Sequence, residues 1–395
     1  MSTPPLGDAV ALTRLLVAID SRNPSLVPGA PGEGAVAHAL RDVLDAWGIP
    51  AVLHTVSDGR ANVVARVGPR GVAPLVFNGH LDVVGIDGMT HAPFAPVERG
   101  GRLYGRGSCD MKSGVAAMCA AIARAQAAGT LTREVWLTAV VDEEWQSEGT
   151  ARLLADWRAG VSAIPTPTTW PVAAIVTEPT SLAICPAHRG FEWIRIEVEG
   201  RAAHGSRYEL GVDAIVHAGL LLAALDRLEH DVLPARTHPL LGRASVHASQ
   251  IGGGTGLSTY PDRCTLWIER RTLPGETRDA VLREFQALVD GVVALRPEVR
   301  ATVHHGGGQP PSDVAPDAPV VQWLTHALRG HGVATSIAGM TAWTDAALFN
   351  DAGIPAICFG PGDIALAHAA EEWVPVDEIT QASAVLQRLL EHTLS

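Results

Sequence analysis

Gly105-Arg106-Gly107-Ser108-Cys109-Asp110-Met111-Lys112-Ser113-Gly114 is a glycine-broken loop that runs straight into an Ala-rich apolar segment over 115–128. That segment has helical spacing and few breakers, which places Asp110 at or beside a helix N-terminus. An aspartate there serves as an N-cap, its side chain satisfying a free backbone N–H. Whether Asp110 does more than cap depends on the acidic and imidazole residues elsewhere in the chain.

Upstream, residues 8–21 read as an amphipathic helix, 23–32 as a Pro/Gly-rich turn and 33–47 as a second helix. Short β-like runs follow at 51–54 and 61–67, and an apolar run over 73–77 closes on Asn78-Gly79-His80-Leu81-Asp82. Downstream, a β-rich run over 134–141 ends at Asp142-Glu143-Glu144, and another over 172–177 ends at Glu178-Pro179. A third, over 355–359, leads into Gly360-Pro361-Gly362 and then His368. Strands separated by helical patterns predict an α/β fold, a mostly parallel mixed sheet flanked by helices. Ligands of such sheets sit beyond the carboxyl ends of the strands. One acidic residue after a strand is an ordinary turn residue, but here the ends of four runs carry His, Asp or Glu.

At 395 residues the chain exceeds one ordinary core and should form about two domains. Between 191 and 305 the pattern changes to β-like 191–198, helical 211–228, strand-like 244–251 and 264–271, helical 276–295 and strand-like 299–304. This βα-ββ-αβ order predicts a smaller α+β domain, 191–305, inserted into a larger domain of 1–190 and 306–395. Gly252-Gly253-Gly254 fits a hairpin tip rather than a phosphate loop, since no GK[ST] follows.

A hydrophobic content of 47% with 18% charged residues describes a folded protein, not a disordered one. The net charge of −12 argues against nucleic acid or an anionic membrane as partner. Cys109, Cys119, Cys185, Cys264 and Cys358 are scattered, with no CxxC pair, which points to reduced thiols in a cytoplasm. No run reaches the ~18 apolar residues of a membrane span, so a soluble cytoplasmic protein is expected. Lys112 is the only lysine, and its place beside Asp110 hints that a compact ammonium is wanted there.

His80, Asp110, Glu144, Glu178 and His368 make a chemically complete set for two divalent cations: one bridging aspartate, with one histidine and one carboxylate for each ion. Asp82, two residues after His80, could take the other ring N–H and fix its tautomer, although His80-Leu81-Asp82 alone also fits a local turn bond. Glu143 and Glu144 are adjacent, so beyond the strand their side chains diverge. One could bind metal while the other faces a water held between the ions, taking its proton and delivering it to a leaving amine.

Together, Gly79-His80-Leu81-Asp82-Val83-Val84, the 105–114 stretch, Asp142-Glu143-Glu144, Glu178-Pro179-Thr180 and Gly360-Pro361-Gly362 with His368 resemble a metallopeptidase and deacylase family. Its members include acetylornithine deacetylase, succinyl-diaminopimelate desuccinylase, aminoacylase and glutamate carboxypeptidase, and the resemblance runs in order from Pro24 to Val374. It implies a two-zinc site, with cobalt or manganese as alternatives. His80 and Glu178 would hold one metal, Glu144 and His368 the other, and Asp110 would bridge. Glu143 would be the general base and Asp82 the orienter of His80.

The resemblance makes the inserted domain a lid and dimerisation domain, implying a homodimer. Within it Gly200-Arg201-Ala202-Ala203-His204-Gly205-Ser206 is similar to the family's lid motif, whose histidine stabilises the oxyanion in the partner's site. Glu269-Arg270-Arg271 is similar to its acidic-x-Arg signature, which makes Arg271 a candidate clamp for a substrate carboxylate; an ordinary strand arginine paired on the surface is the competing reading. Thr344-Asp345-Ala346 resembles the segment that shapes the pocket floor, and Gly360 and Gly362 would let the backbone approach a substrate closely. Where many members carry asparagine, two apolar residues and proline, this chain has Ser258-Thr259-Tyr260-Pro261, which weakens any transfer of substrate identity.

The expected activity is removal of an acetyl- or succinyl-type acyl group from an N-acyl amino acid. A dipeptidase or carboxypeptidase would use the same metal site. A catalytically silent binding protein should have lost a ligand or the base, and none is missing. A phosphoesterase would want a basic phosphate clamp near the motifs, and none is read there.

Overall fold

Strands that are apolar on both faces form the centre of the fold. The computed structural model of the chain describes residues 3–161 and 164–392. In chain order the main elements begin with α1 (Ala9–Val17), α2 (Gly34–Ala46), β1 (Ala51–Ser57), β2 (Arg60–Val67) and β3 (Leu75–His80). Next come α3 (Ser113–Ala128), β4 (Val135–Val140), α4 (Glu148–Ala159), β5 (Ala173–Val176) and β6 (Ile184–His188). Then follow β7 (Gly190–Glu199), α5 (Ala214–Arg227), β8 (Ser245–Gly253), β9 (Arg263–Thr272), α6 (Arg278–Leu295) and β10 (Arg300–Gln309). The last are α7 (Pro319–His331), α8 (Ala346–Asp351), β11 (Ala356–Cys358) and α9 (Val376–His392). The chain divides into two compact units: Met1–Pro186 with Val314–Ala338 and Thr344–Ser395, and Ala187–Asp313 with Gly339–Trp343.

The first unit is built on a mixed sheet that runs in the order β1-β2-β4-β3-β5-β11-β6. β3 pairs in parallel with β4 and β5, and β5 with β11. The outer pairings β1–β2, β2–β4 and β11–β6 are antiparallel, so parallel pairing is confined to the centre. Every residue of β3, β4 and β5 is buried, which is why these runs read as continuous apolar stretches instead of alternating ones. On one face Val63, Phe77, Leu137 and Ile175 join α1, α2, α3, α7 and α9 in a single core. On the other, Trp136 of β4 meets Trp157 of α4 edge-on, with ring centroids 5.0 Å apart.

α3 lies in the middle of that core, buried at every position from Ser113 to Ala123. Small residues let it sit on the sheet: a Cβ on Gly114 would lie 1.9 Å from the carbonyl oxygen of Thr177. Lys112, just before α3, is fully buried. Its Nζ donates to the carbonyls of Leu16 (3.0 Å), in the last turn of α1, and Ile19 (2.9 Å), just beyond it. Burial pulls this ammonium down to about 7, against the pull of Glu372, Asp20 and Asp82.

The second unit is an antiparallel sheet, β8-β9-β7-β10, carrying α5 and α6. Alternating residues such as Ile194, Ile196, Leu266 and Ile268 face a core shared with Val281 and Phe285 of α6. The same alternation separates Arg270 from Arg271. Arg270 points inward, fully buried on Glu276 and Glu284, while Arg271 is partly exposed. Gly252 and Gly253 are strand residues opposite Thr265 and Cys264, so the turn expected there lies further on.

Candidate metal centre

The parallel strands end on one side of the sheet, and the acidic and imidazole residues gather there. His80 is the last residue of β3, Glu178 lies two residues beyond β5, and Glu143 and Glu144 lie just beyond β4. Asp110 is brought in by the loop before α3 and His368 by the segment after β11. Donor atoms of His80, Asp110 and Glu178 lie within 4.8 Å of one another, as do those of Asp110, Glu144 and His368.

Asp110 belongs to both groups. Its Oδ1 is 3.0 Å from His80 Nε2, and its Oδ2 is 3.4 Å from His368 Nε2. His368 Nε2 is also 2.9 Å from Glu144 Oε2, and His80 Nε2 is 4.0 Å from Glu178 Oε1. Asp110 has extended backbone angles (φ −113°, ψ 100°) and precedes a cis peptide bond to Met111, while α3 starts only at Ser113. It is therefore not the helix cap that its sequence position allows; both oxygens face imidazoles instead. His368 has φ +60° and Asp142 φ +69°, and non-glycine residues hold that region only where their surroundings force it.

Asp82 meets His80 mainly through its backbone carbonyl. His80 Nδ1 is 3.0 Å from the Asp82 carbonyl and 3.5 Å from its carboxylate. The carboxylate itself accepts the backbone N–H groups of Glu143 (3.2 Å) and Glu144 (3.1 Å) and the amide of Asn23 (2.9 Å). It thereby fixes both glutamates at once. Glu143 Oε2 sits 3.9 Å from His80 Nε2.

Burial raises Glu143 and Glu178 well above the usual carboxylate range; Asp345 and Glu144 reinforce this at both, and His80 offsets part of it. Glu144 is raised by burial and by Asp110. Burial would lower the His80 imidazole, but Asp110, Asp82 and Glu143 outweigh it and hold the ring well above its ordinary value. Burial likewise opposes ionisation of Asp110, and the two histidines overcome it and hold that carboxyl low. Such crowding of buried carboxylates calls for positive charge, which protons on the imidazoles supply only in part. Glu144 Oε1 and Glu178 Oε1 are buried with no hydrogen-bond partner. Orphaned carboxylate oxygens beside imidazole nitrogens, with one carboxylate shared, fit a pair of divalent cations.

Gly360 and Gly362 find their reason in packing. A Cβ on Gly360 would lie 2.5 Å from Thr177 O and 2.7 Å from Glu178 O, and one on Gly362 (φ +92°) 2.7 Å from Cys109 Sγ. They let the segment leading to His368 close onto the stretch carrying Glu178. His204 and Arg271 belong to the second unit. His204 is exposed, and its Nδ1 accepts the Ser206 backbone N–H (3.2 Å), which leaves the ring proton on Nε2. The Ser258 carbonyl accepts the Gly205 N–H at 2.7 Å, so the stretch that departs from the family pattern runs beside His204. Arg271 is bonded through Nε to Glu269, with its guanidinium 5.6 Å from the Phe191 ring centre.

Arg60 and Asn23 support the site with no signal in the sequence, whereas Asp345 lies in the 344–346 stretch that the sequence does single out. Arg60 binds Glu33 (2.5 Å) and Asp142 (2.9 Å), and Asn23 spans Asp82 and Asp142 (3.1 Å). Asp345 accepts from Thr150 (2.6 Å), and its Oδ1 is buried without a partner. Burial raises it to about 6.

The profile described as Peptidase family M20/M25/M40 matches residues 76–392. An acetylornithine deacetylase of Myxococcus xanthus is 30% identical over 340 residues, 84% of each chain. A putative succinyl-diaminopimelate desuccinylase of Mycobacterium tuberculosis is 30% identical over 390 residues, 97% of this chain and 98% of its own. Among solved structures, the M20 family metallo-carboxypeptidase Sso-CP2 of Sulfolobus solfataricus shares the fold. Its TM-score is 0.79 at 16% identity, over 98% of this chain and 99% of that one.

Proposed function

The chain belongs to peptidase family M20/M25/M40, and from that premise we propose a two-metal hydrolase that removes an acetyl- or succinyl-type group from an N-acyl amino acid. The observation that carries the reading is the division of Asp110 between two imidazoles, Oδ1 toward His80 and Oδ2 toward His368. His80 and Glu178 would hold one cation, Glu144 and His368 the other, with Asp110 shared. Zinc suits this nitrogen and oxygen donor set best, with cobalt or manganese as alternatives. Bound there, the cations would polarise the scissile carbonyl and acidify the attacking water.

The chain's own groups do the rest. Glu143, held by Asp82 and left without a ligand role, takes the water's proton and passes it to the departing nitrogen. His204, protonated on Nε2, supplies a hydrogen bond to the developing oxyanion from a partner chain. Arg271 offers its guanidinium to a substrate carboxylate, and Gly360 and Gly362 shape the wall behind His368.

The second unit serves as lid and dimerisation domain. β8 is an edge strand with Ile251 exposed, and Ile215 and Val216 are exposed on α5, features that suit a homodimer contact. No helix among the described residues is long and apolar enough to cross a membrane, and all five cysteines are free and buried, which suits a cytoplasmic setting.

Replacement of Glu143 by alanine should leave two metal ions per chain by elemental analysis and lower kcat about 10²–10⁴-fold. Near-wild-type turnover would reject Glu143 as the base. A second reading, cleavage of dipeptides or C-terminal residues, draws on the fold shared with a carboxypeptidase. Rates on acetylornithine, succinyl-diaminopimelate and a dipeptide panel separate the two.

A further inference from the structure

Glu372 lies four residues beyond His368, is fully buried, and has no part in the chemistry above. Its carboxylate accepts four hydrogen bonds, all from residues 106–110. Oε1 accepts the backbone N–H groups of Cys109 (2.9 Å) and Asp110 (3.1 Å). Oε2 accepts the Gly107 N–H (3.0 Å) and Arg106 Nη1 (2.6 Å). The Glu372 carbonyl also accepts the Gly105 N–H at 3.3 Å.

These bonds answer a local need. Residues 105–111 are buried and Asp110 is not helical, so their N–H groups have no i−4 carbonyl to bind. A buried N–H without a partner is strongly unfavourable. One anion at the centre of the loop satisfies three of them and is itself balanced by a buried guanidinium. The bonds end on the main chain of Asp110, the residue whose two oxygens are shared between His80 and His368. They also tie the segment that supplies His368 to the loop that supplies Asp110.

We propose that Glu372 is a positioning residue for the metal pair: by clamping the 105–110 loop it sets the backbone of Asp110, so that one carboxylate oxygen faces each cation site. The proposal rests on the two-cation reading. It differs from a plain stabilising ion pair with Arg106 because it acts on metal affinity and turnover in the folded protein.

Glu372→Gln is the sharpest change. The amide keeps the shape but has one acceptor oxygen, so in either orientation its NH2 faces two donors. Cobalt(II) titration of chelator-stripped protein, with the visible absorption of the bound ions as signal, is run first on the wild type. Uptake of two ions per chain is expected; failure to take up two would sink the two-cation reading itself. With that in hand, the proposal expects Glu372→Gln, folded by circular dichroism, to bind cobalt about 10–100-fold more weakly. Its absorption bands should change, and kcat should fall with KM for the best panel substrate little altered. Glu371→Gln, an exposed neighbour, should change nothing. Wild-type affinity, spectrum and kcat in Glu372→Gln would overturn the proposal, even if its melting temperature drops. If Gln does not fold, Glu372→Asp carries the test. Its shortened carboxylate should weaken cobalt binding at least several-fold, and unchanged affinity would overturn the proposal equally.

Discussion

Arg60 shows how a residue far from the chemistry is bound to it. Its guanidinium neutralises buried Glu33 and reaches Asp142, the residue with φ +69° that turns the chain into Glu143 and Glu144. Replacing Arg60 with methionine keeps the stem's bulk but leaves two buried carboxylates without their cation. Loss of one partner of such a network costs about 3–5 kcal/mol, read as a lower urea midpoint with metal saturated. Nothing in sequence announces this contact, because Arg60 is 27 residues from Glu33 and 82 from Asp142. The candidate ligands stand out more plainly. His80, Glu144 and Glu178 each follow an apolar run, and that position relative to the sheet is what a sequence can display. Asp110 was ambiguous for a physical reason: a cap and a ligand both place a carboxylate at a helix start, and only the backbone angles separate them.

At the scale of the element, α3 is the tightest fit in the fold. Gly114→Ala tests two opposing effects. Alanine favours a helix over glycine by up to about 1 kcal/mol, but the new methyl would lie 1.9 Å from Thr177 O, backbone that cannot swing away. Overpacking costs about 1–3 kcal/mol or more, so the clash wins. The variant should melt lower, and because Thr177 adjoins Glu178 it should also bind metal more weakly in the titration used for Glu372. Periodicity predicted most elements here, including the β-α-β-β-α-β order of residues 190–309. It left open the direction of each pairing. An apolar run reports burial on both faces but not which way its neighbour points, and so the antiparallel outer strands had no separate signature. Glycine also misled, since Gly252 and Gly253 read as a turn and are strand.

For the whole molecule, five candidate ligands spread from residue 80 to residue 368 meet because parallel strands of one sheet end on the same side and the loop before α3 adds Asp110 there. The order of the motifs is legible in the sequence, as is the 344–346 stretch that holds Asp345; the contacts of Asn23, Arg60 and Glu372 behind them are not, since they are made in space alone. Lys112 gives the molecule a practical asymmetry. The chain's single lysine is sealed inside, its nitrogen docked on the end of α1. Amine-acylating reagents therefore meet no lysine on the native surface, and the mass shift of one peptide times how often α1 lifts away from α3. That clock should run slower when divalent ions are added, since they would staple shut the loop next to it.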